Sequence, residues 1–335
     1  MGEIPNRNHH AMRVLRRIAW GLSFALAACA GPRVSPGDVG SPTPQPSGSA
    51  TPSPSGTPAP PSICAADPAT KFASHWIDGG ACGTETPIQV HRYDTNTWIL
   101  RQSMCTNFEG PFLYLLFGRD KALLEDTGAG NIQIAAAVDS IIATWLSENG
   151  KTSIPLVVAN SHAHGDHVAG NPQFATRANT TMVGTSVAAV QAFFGIATWP
   201  TSTASYDLGD RVVDVIPIPG HQAAHIAFYD HATGLLLTGD TLYPGRLYVS
   251  DFPAYVQSIQ RLVDATASEE VCAVAGTHIE MTSTPGQDFA FQSTNHPAEH
   301  PLPLTRAHLL ELRDAVVGMQ GNPQTEAHND FIIVP

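Results

Sequence analysis

The chain has 335 residues, of which 43% are hydrophobic and only 14% charged, enough apolar material for one large core or two small ones. Its 17 basic and 29 acidic residues leave a formal net charge of −12, and no run of Lys or Arg occurs beyond the first twenty residues. That excludes a phosphate-binding stripe, and nucleic acid is not an expected partner.

At the N-terminus Arg13, Arg16 and Arg17 precede the apolar run IAWGLSFALAA, which is too short to span a bilayer, so residues 1–28 read as a targeting segment. The run ends in LAAC, Leu26 to Cys29, which resembles the lipobox of bacterial lipoproteins. That resemblance implies a lipidated Cys29 as the mature N-terminus and a membrane as a partner, each buried methylene of the lipid contributing about 0.8 kcal/mol. The alternative is a plain secretory peptide cut at the small residues of ALAACAG. Either way export is expected, to the cell envelope or beyond it. From Gly31 to Ser62 the chain is rich in Pro, Ser, Thr and Gly with almost no large apolar side chain, a composition that cannot offset its ordering entropy. Residues 29–62 are therefore expected to form an anchor and tether, and residues 63–335 the folded domain.

In that domain IQVHRYDTNTWILRQS and FLYLLFGRDKALLEDTG read as hairpin strands broken at turn residues, and NIQIAAAVDSIIATWLSENG as an amphipathic helix ending at glycine. A buried strand, IPLVVA, follows. RVVDVIPIPG and HIAFYDHATGLLLTGD read as strands, PAYVQSIQRLVDAT as a helix, VCAVAG as a strand and LTRAHLLELRDAVV as a last helix. Strands interleaved with helices on this scale predict an α/β class, with sheet layers covered by helices. Cys64, Cys82, Cys105 and Cys272 permit disulfides in an exported chain. A Cys64 to Cys82 or a Cys82 to Cys105 bridge is the expectation, while Cys272, in the strand-like EEVCAVAG, reads equally as a buried free thiol.

The ends of the predicted strands carry the chemistry. IPLVVA runs into NSHAHGDH, which supplies His162, His164, Asp166 and His167; DVIPIPG runs into His221, GLLLTG into Asp240, and VCAVAG into Thr277 and His278. Imidazoles and carboxylates hold borderline cations such as zinc, and seven donors suffice for two metals.

The motifs SHAHGDH, PGH, TGD and GTH, in that order, resemble the metallo-β-lactamase superfamily in its dinuclear hydrolase branch, over roughly Ile88 to Met281. The resemblance implies an αββα sandwich, two mixed sheets face to face with helices outside. It implies that His162, His164 and His221 hold one metal, that Asp166, His167 and His278 hold a second, and that Asp240 bridges them. Asp126, in LLEDTGAG, matches the aspartate that supports the metals in relatives. Zinc is the default, with iron or manganese as alternatives. Histidine rather than glutamate at position 164 argues against the flavodiiron-type redox branch.

The implied reaction is hydrolysis of an ester-like bond in a small molecule, a lactone, a thioester or another small ester. Two cations about 3.5 to 4 Å apart generate hydroxide near neutral pH, and Asp166 is the expected catalytic residue that orients it. TGDTLY resembles glyoxalase II and lactonase sites, yet GTHIEM only loosely echoes the glyoxalase turn, and that family's basic glutathione-binding residues are not evident. An aspartate at position 240, where zinc β-lactamases use cysteine or serine, disfavours β-lactams. β-Lactamase, phosphodiesterase or sulfatase activity stays open as an alternative, as does a non-catalytic metal- or ligand-binding envelope lipoprotein. His225, four residues after His221, has the spacing of a ligand pair, but the resemblance assigns only His221. Tyr243, Arg246 and Tyr248 are candidates to contact substrate. The histidines of NHPAEHPL, His296 and His300, are expected to face solvent.

Overall fold

The computed structural model describes residues 62–335, so the targeting and tether readings, Cys29 included, lie outside the described residues. The first sheet has six strands in chain order: β1 (Ile88–Asp94), β2 (Thr97–Gln102), β3 (Phe112–Phe117), β4 (Ala122–Glu125), β5 (Leu156–Ala159) and β6 (Thr180–Met182). β1 to β4 pair antiparallel and β4, β5 and β6 pair parallel, the reversal being allowed by the crossover helix α1 (Ile134–Glu148). Two short helices follow β5 and β6: α2 (Gly165–Val168) and α3 (Val187–Phe194).

A second mixed sheet is built from β7 (Ala204–Asp207), β8 (Val212–Pro217), β9 (Ile226–Asp230) and β10 (Leu235–Gly239). After β11 (Arg246–Tyr248) and helix α4 (Phe252–Ala265), strand β12 (Ala273–Gly276) joins it parallel to β10. The chain closes with helix α5 (Arg306–Gly318), β13 (Glu326–Ala327) and β14 (Ile332–Val334), which with β11 form a small third sheet.

The layers follow from where alternate side chains go. On β3, Phe112, Tyr114 and Leu116 pack between the two large sheets, whereas Leu113, Leu115 and Phe117 pack against Val138, Ile142 and Trp145 of α1. On the second sheet Phe228, Leu235 and Leu237 face the inter-sheet core, and Tyr229 and Leu236 face Tyr255 and Leu262 of α4 and Leu309 of α5. Both faces of each sheet are therefore buried, which is why FLYLLF and GLLLTG read as unbroken apolar runs. The αββα expectation holds, and the third sheet is an addition to it.

The cysteines correct one expectation. Cys82 bonds Cys105, but Cys64 bonds Cys272 across 208 residues of sequence, so Cys272 is neither free nor is Cys64 paired to Cys82. Spacing in sequence could not identify the partner, because β12 brings Cys272 beside the first described residues only in the fold. The same region is fastened by Glu270, whose carboxylate accepts from the Ile63 amide at 2.7 Å.

Candidate metal centre

Strands β8, β10 and β12 run in one direction, since β8 and β10 each pair antiparallel with β9 and β12 is parallel to β10. Their C-terminal ends share one edge, as do those of the parallel β4 and β5 in the first sheet. The residues just past those ends are Asp126, Ser161 to His167, His221, Asp240 and His278. Two glycines permit the approach. Gly220 and Gly239 have φ of +145° and +51°, and a Cβ would lie 2.5 Å from Tyr255 Cα at Gly220 and 2.4 Å from His225 Nε2 at Gly239. His221 and Asp240 are thus set by turns that no larger residue could make.

Seven side chains gather into two groups whose ligand atoms lie within 4.8 Å of one another: His162, His164, His221 and Asp240, and Asp166, His167, Asp240 and His278. His164 Nδ1 is 3.0 Å from His162 Nε2 and 2.9 Å from His221 Nε2. Asp240 divides its two oxygens between the groups. Oδ2 is 3.7 Å from His162 Nε2 and 3.5 Å from His221 Nε2, while Oδ1 is 3.3 Å from the Nε2 atoms of both His167 and His278. Asp166 Oδ2 completes the second group, 3.2 Å from His167 Nε2 and 3.3 Å from His278 Nε2.

The opposite edges of the rings are held. His167 Nδ1 donates to Asp126 Oδ2 at 2.8 Å, His221 Nδ1 to the Tyr248 carbonyl at 2.7 Å and His278 Nδ1 to the Glu109 carbonyl at 2.9 Å. Asp126 also accepts from the Ser161 amide at 2.7 Å and from Ser161 Oγ at 2.8 Å, so the Ser161 oxygen is left as an acceptor for His162 Nδ1, 3.1 Å away. Each of these contacts fixes a proton on Nδ1 and turns Nε2 toward the cluster, leaving Nε2 as the atom that would exchange a proton for a metal. Thr277 Oγ1 donates to Asp240 Oδ1.

The charges follow. Burial, and then the neighbouring His167, keep the His162 ring well below its ordinary range, and burial with His221 lowers His164. Burial opposes ionisation of Asp240 and Asp166, yet His167, with His278, outweighs it and holds both carboxyls far below the carboxylate range. Two ionised, largely buried carboxylates among imidazoles form a pocket that calls for cations. His167 Nε2 is buried and has no hydrogen-bond partner, and it points at Asp166 and Asp240. This orphaned nitrogen, which a bound cation would satisfy in place of a proton, and the nitrogen-oxygen donor set fit a divalent metal.

The model of the Metallo-beta-lactamase superfamily matches residues 107–278, half of the chain, from just before β3 to the histidine after β12. The chain belongs to that superfamily. Among curated relatives, a hydroxyacylglutathione hydrolase of Xanthomonas axonopodis pv. citri is 27% identical over 221 residues, spanning 59% of this chain and 78% of that protein. One from Methylococcus capsulatus is 31% identical over 174 residues, 49% of this chain and 66% of that protein. A solved metallo-beta-lactamase from Erythrobacter litoralis has 17% identity and a TM-score of 0.48, covering 70% of this chain and 98% of that one. The protein is accordingly a metallo-hydrolase of the metallo-beta-lactamase superfamily.

The superfamily motifs located every one of the seven clustered side chains. What they did not locate is the support around them. Ser161 lies inside the quoted motif but is named by no ligand rule, and Glu109 acts through its carbonyl, which sequence does not label. His225 stands outside both groups. It is fully buried with its ring 4.6 Å from that of His162, and its Nδ1 is 3.3 Å from Thr241 Oγ1. His296 corrects an expectation, because it is buried rather than solvent-facing. Its ring stacks on Phe289 at 4.1 Å and its Nδ1 donates to the Ile279 carbonyl, and burial pushes its pKa down to about 4. His300 is also drawn in, with its Nε2 2.9 Å from Asp330. Tyr243 is buried, its hydroxyl donating to the Arg246 carbonyl at 2.5 Å, so it supports the loop rather than meeting substrate. Tyr248 is exposed beside His221.

Proposed function

We propose that this protein holds two divalent cations, zinc by default, and hydrolyses a small ester-like substrate, with thioesters and lactones as the substrate class. His162, His164 and His221 would hold one ion, Asp166, His167 and His278 the other, and Asp240 both. The observation that carries this reading is the division of the Asp240 oxygens between two histidine groups. The hydroxyacylglutathione hydrolases among its relatives support a thioester or a chemically similar bond.

Bound cations supply a nucleophilic water at neutral pH and polarise the carbonyl that is attacked. The side chains do the rest. Asp166 is partly open to solvent and His164 is exposed, so substrate approaches over these two. A carboxyl held as low as Asp166 is a weak base, which suits it to orienting the attacking water by accepting its hydrogen bond rather than to abstracting a proton. The Nδ1 contacts to Asp126, Tyr248 and Glu109 keep three rings from rotating as charge develops.

Export is part of the proposal, with lipid on Cys29 as the anchor. Two disulfides among the described residues support an oxidising compartment. The test is elemental analysis of the purified protein together with hydrolysis assays on thioester, lactone, phosphodiester, aryl sulfate and β-lactam substrates. Two metal equivalents and chelator-sensitive turnover of thioesters or lactones are expected. Absence of metal, with no activity after reconstitution with zinc, iron or manganese, would refute it.

A further inference from the structure

Beside the metal centre lies a rim whose chemistry is unlike that of the cluster. Phe291 is 65% exposed and Tyr248 38% exposed, two of only six large apolar side chains left so open among the described residues. The Phe291 ring meets Phe108 edge-on at 6.3 Å, and Phe108 immediately precedes Glu109, the residue whose carbonyl fixes His278. On the other side the Tyr248 carbonyl fixes His221. Tyr248 thus holds a histidine of one group through its own carbonyl, and Phe108 adjoins the residue that holds a histidine of the other.

The only cation among these rim residues is Arg246, and it is committed. Its guanidinium donates to Asp288 at 2.5 Å, to Glu280 at 2.8 Å and to the Phe289 carbonyl at 2.8 Å, with the Phe291 ring 5.9 Å away. Two carboxylates therefore more than neutralise one guanidinium, and Glu109 adds a third. A substrate bearing carboxylates would meet acidic groups here with no free cation to receive them. An apolar group would instead cover aromatic surface that is now in water.

Resting on the hydrolase reading above, we propose that the substrates are esters or thioesters of an uncharged apolar acyl group, seated on Phe291, Phe108 and Tyr248. A conjugate of an anionic carrier such as glutathione is not the preferred substrate. Phe291 and Tyr248 are then specificity-determining residues.

The test is a series of N-acetylcysteamine thioesters with acetyl, butyryl and hexanoyl groups, together with the hexanoyl thioester of glutathione. A fully buried methylene is worth roughly a factor of four, and a half-open rim realises part of that. The kcat/KM of the full-length protein is expected to rise roughly tenfold or more from acetyl to hexanoyl, and the glutathione thioester to be no better than its neutral counterpart. Phe291→Ala is expected to cut the hexanoyl-to-acetyl ratio at least threefold, while Val317→Ala, an exposed apolar residue on α5, leaves the ratio as it was. A flat series, a ratio indifferent to Phe291→Ala, or preference for the glutathione thioester would overturn the inference. If metal-loaded protein turns over none of these compounds, nor any lactone, the hydrolase reading fails on its own. Calorimetry with the matching non-hydrolysable amides then decides the rim separately: tighter binding of the hexanoyl amide, lost in Phe291→Ala, supports it, and equal binding of acetyl and hexanoyl amides refutes it.

Discussion

Asp126 shows how much rests on one side chain away from the ligands. It sits at a left-handed φ of 64°, which is costly for a residue with a Cβ and is tolerated most readily by Asn and Asp. In return its carboxylate binds the Ser161 amide, the Ser161 hydroxyl and His167 Nδ1 at once, setting the start of the histidine motif and one ring within it. Asp126→Ala is expected to weaken metal binding at the His167 group by about 10- to 100-fold, read by competition with a metal-chelating dye. Unchanged affinity would mean that packing alone orients His167. The seven clustered side chains were legible at this scale because imidazoles and carboxylates are the types that hold borderline cations and because their order resembles a known family's motifs. The burial of His296 was not, because a histidine among Pro, Asn and Glu looks solvated until Phe289 and the Ile279 carbonyl are brought against it.

Among the elements, those read correctly are the ones with a long pattern. α1 shows its apolar stripe through Ile134, Val138, Ile141, Ile142 and Trp145, and β3 is apolar because both its faces are covered. β6, β11, β13 and β14 have two or three residues each, too few to show a period, and exist because a neighbouring strand pairs with them. Equally silent in sequence is the lock at the edge opposite the metal centre. Arg211, just before β8, makes a bidentate pair with Asp230 at the end of β9 and donates to the Asn96 and Phe117 carbonyls and to Thr97 of the first sheet. Both partners are almost fully buried. Asp230→Ala leaves the guanidinium charge without its partner between the sheets, and a loss of about 3–5 kcal/mol in denaturant unfolding is expected. Asp210→Ala, which removes a well-exposed partner of Arg119, is expected to cost under about 1 kcal/mol. Equal losses would show that the inter-sheet pair carries no special weight.

For the molecule as a whole, the Cys64–Cys272 bridge closes a loop of 208 residues, about three quarters of the described chain. Chain entropy gives such a long loop a stabilisation near the top of the usual range, about 5 kcal/mol. The double variant Cys64→Ser with Cys272→Ser is expected to lower the thermal midpoint by about 5–10 °C without changing metal content. A midpoint within a degree of wild type would confine the bridge to fastening the chain's entry into the domain. By itself the sequence determined the α/β class through local periodicity, the net acidity of the chain through its composition, and, through the order of its histidine and aspartate motifs, the resemblance that implied the αββα sandwich and the seven side chains that cluster. Only the tertiary structure decided which cysteines pair, that the Asp240 oxygens face two histidine groups, which carbonyls fix the rings, and that Phe291 stands exposed beside them. Those facts are distances between residues far apart in the chain, and no local pattern encodes them.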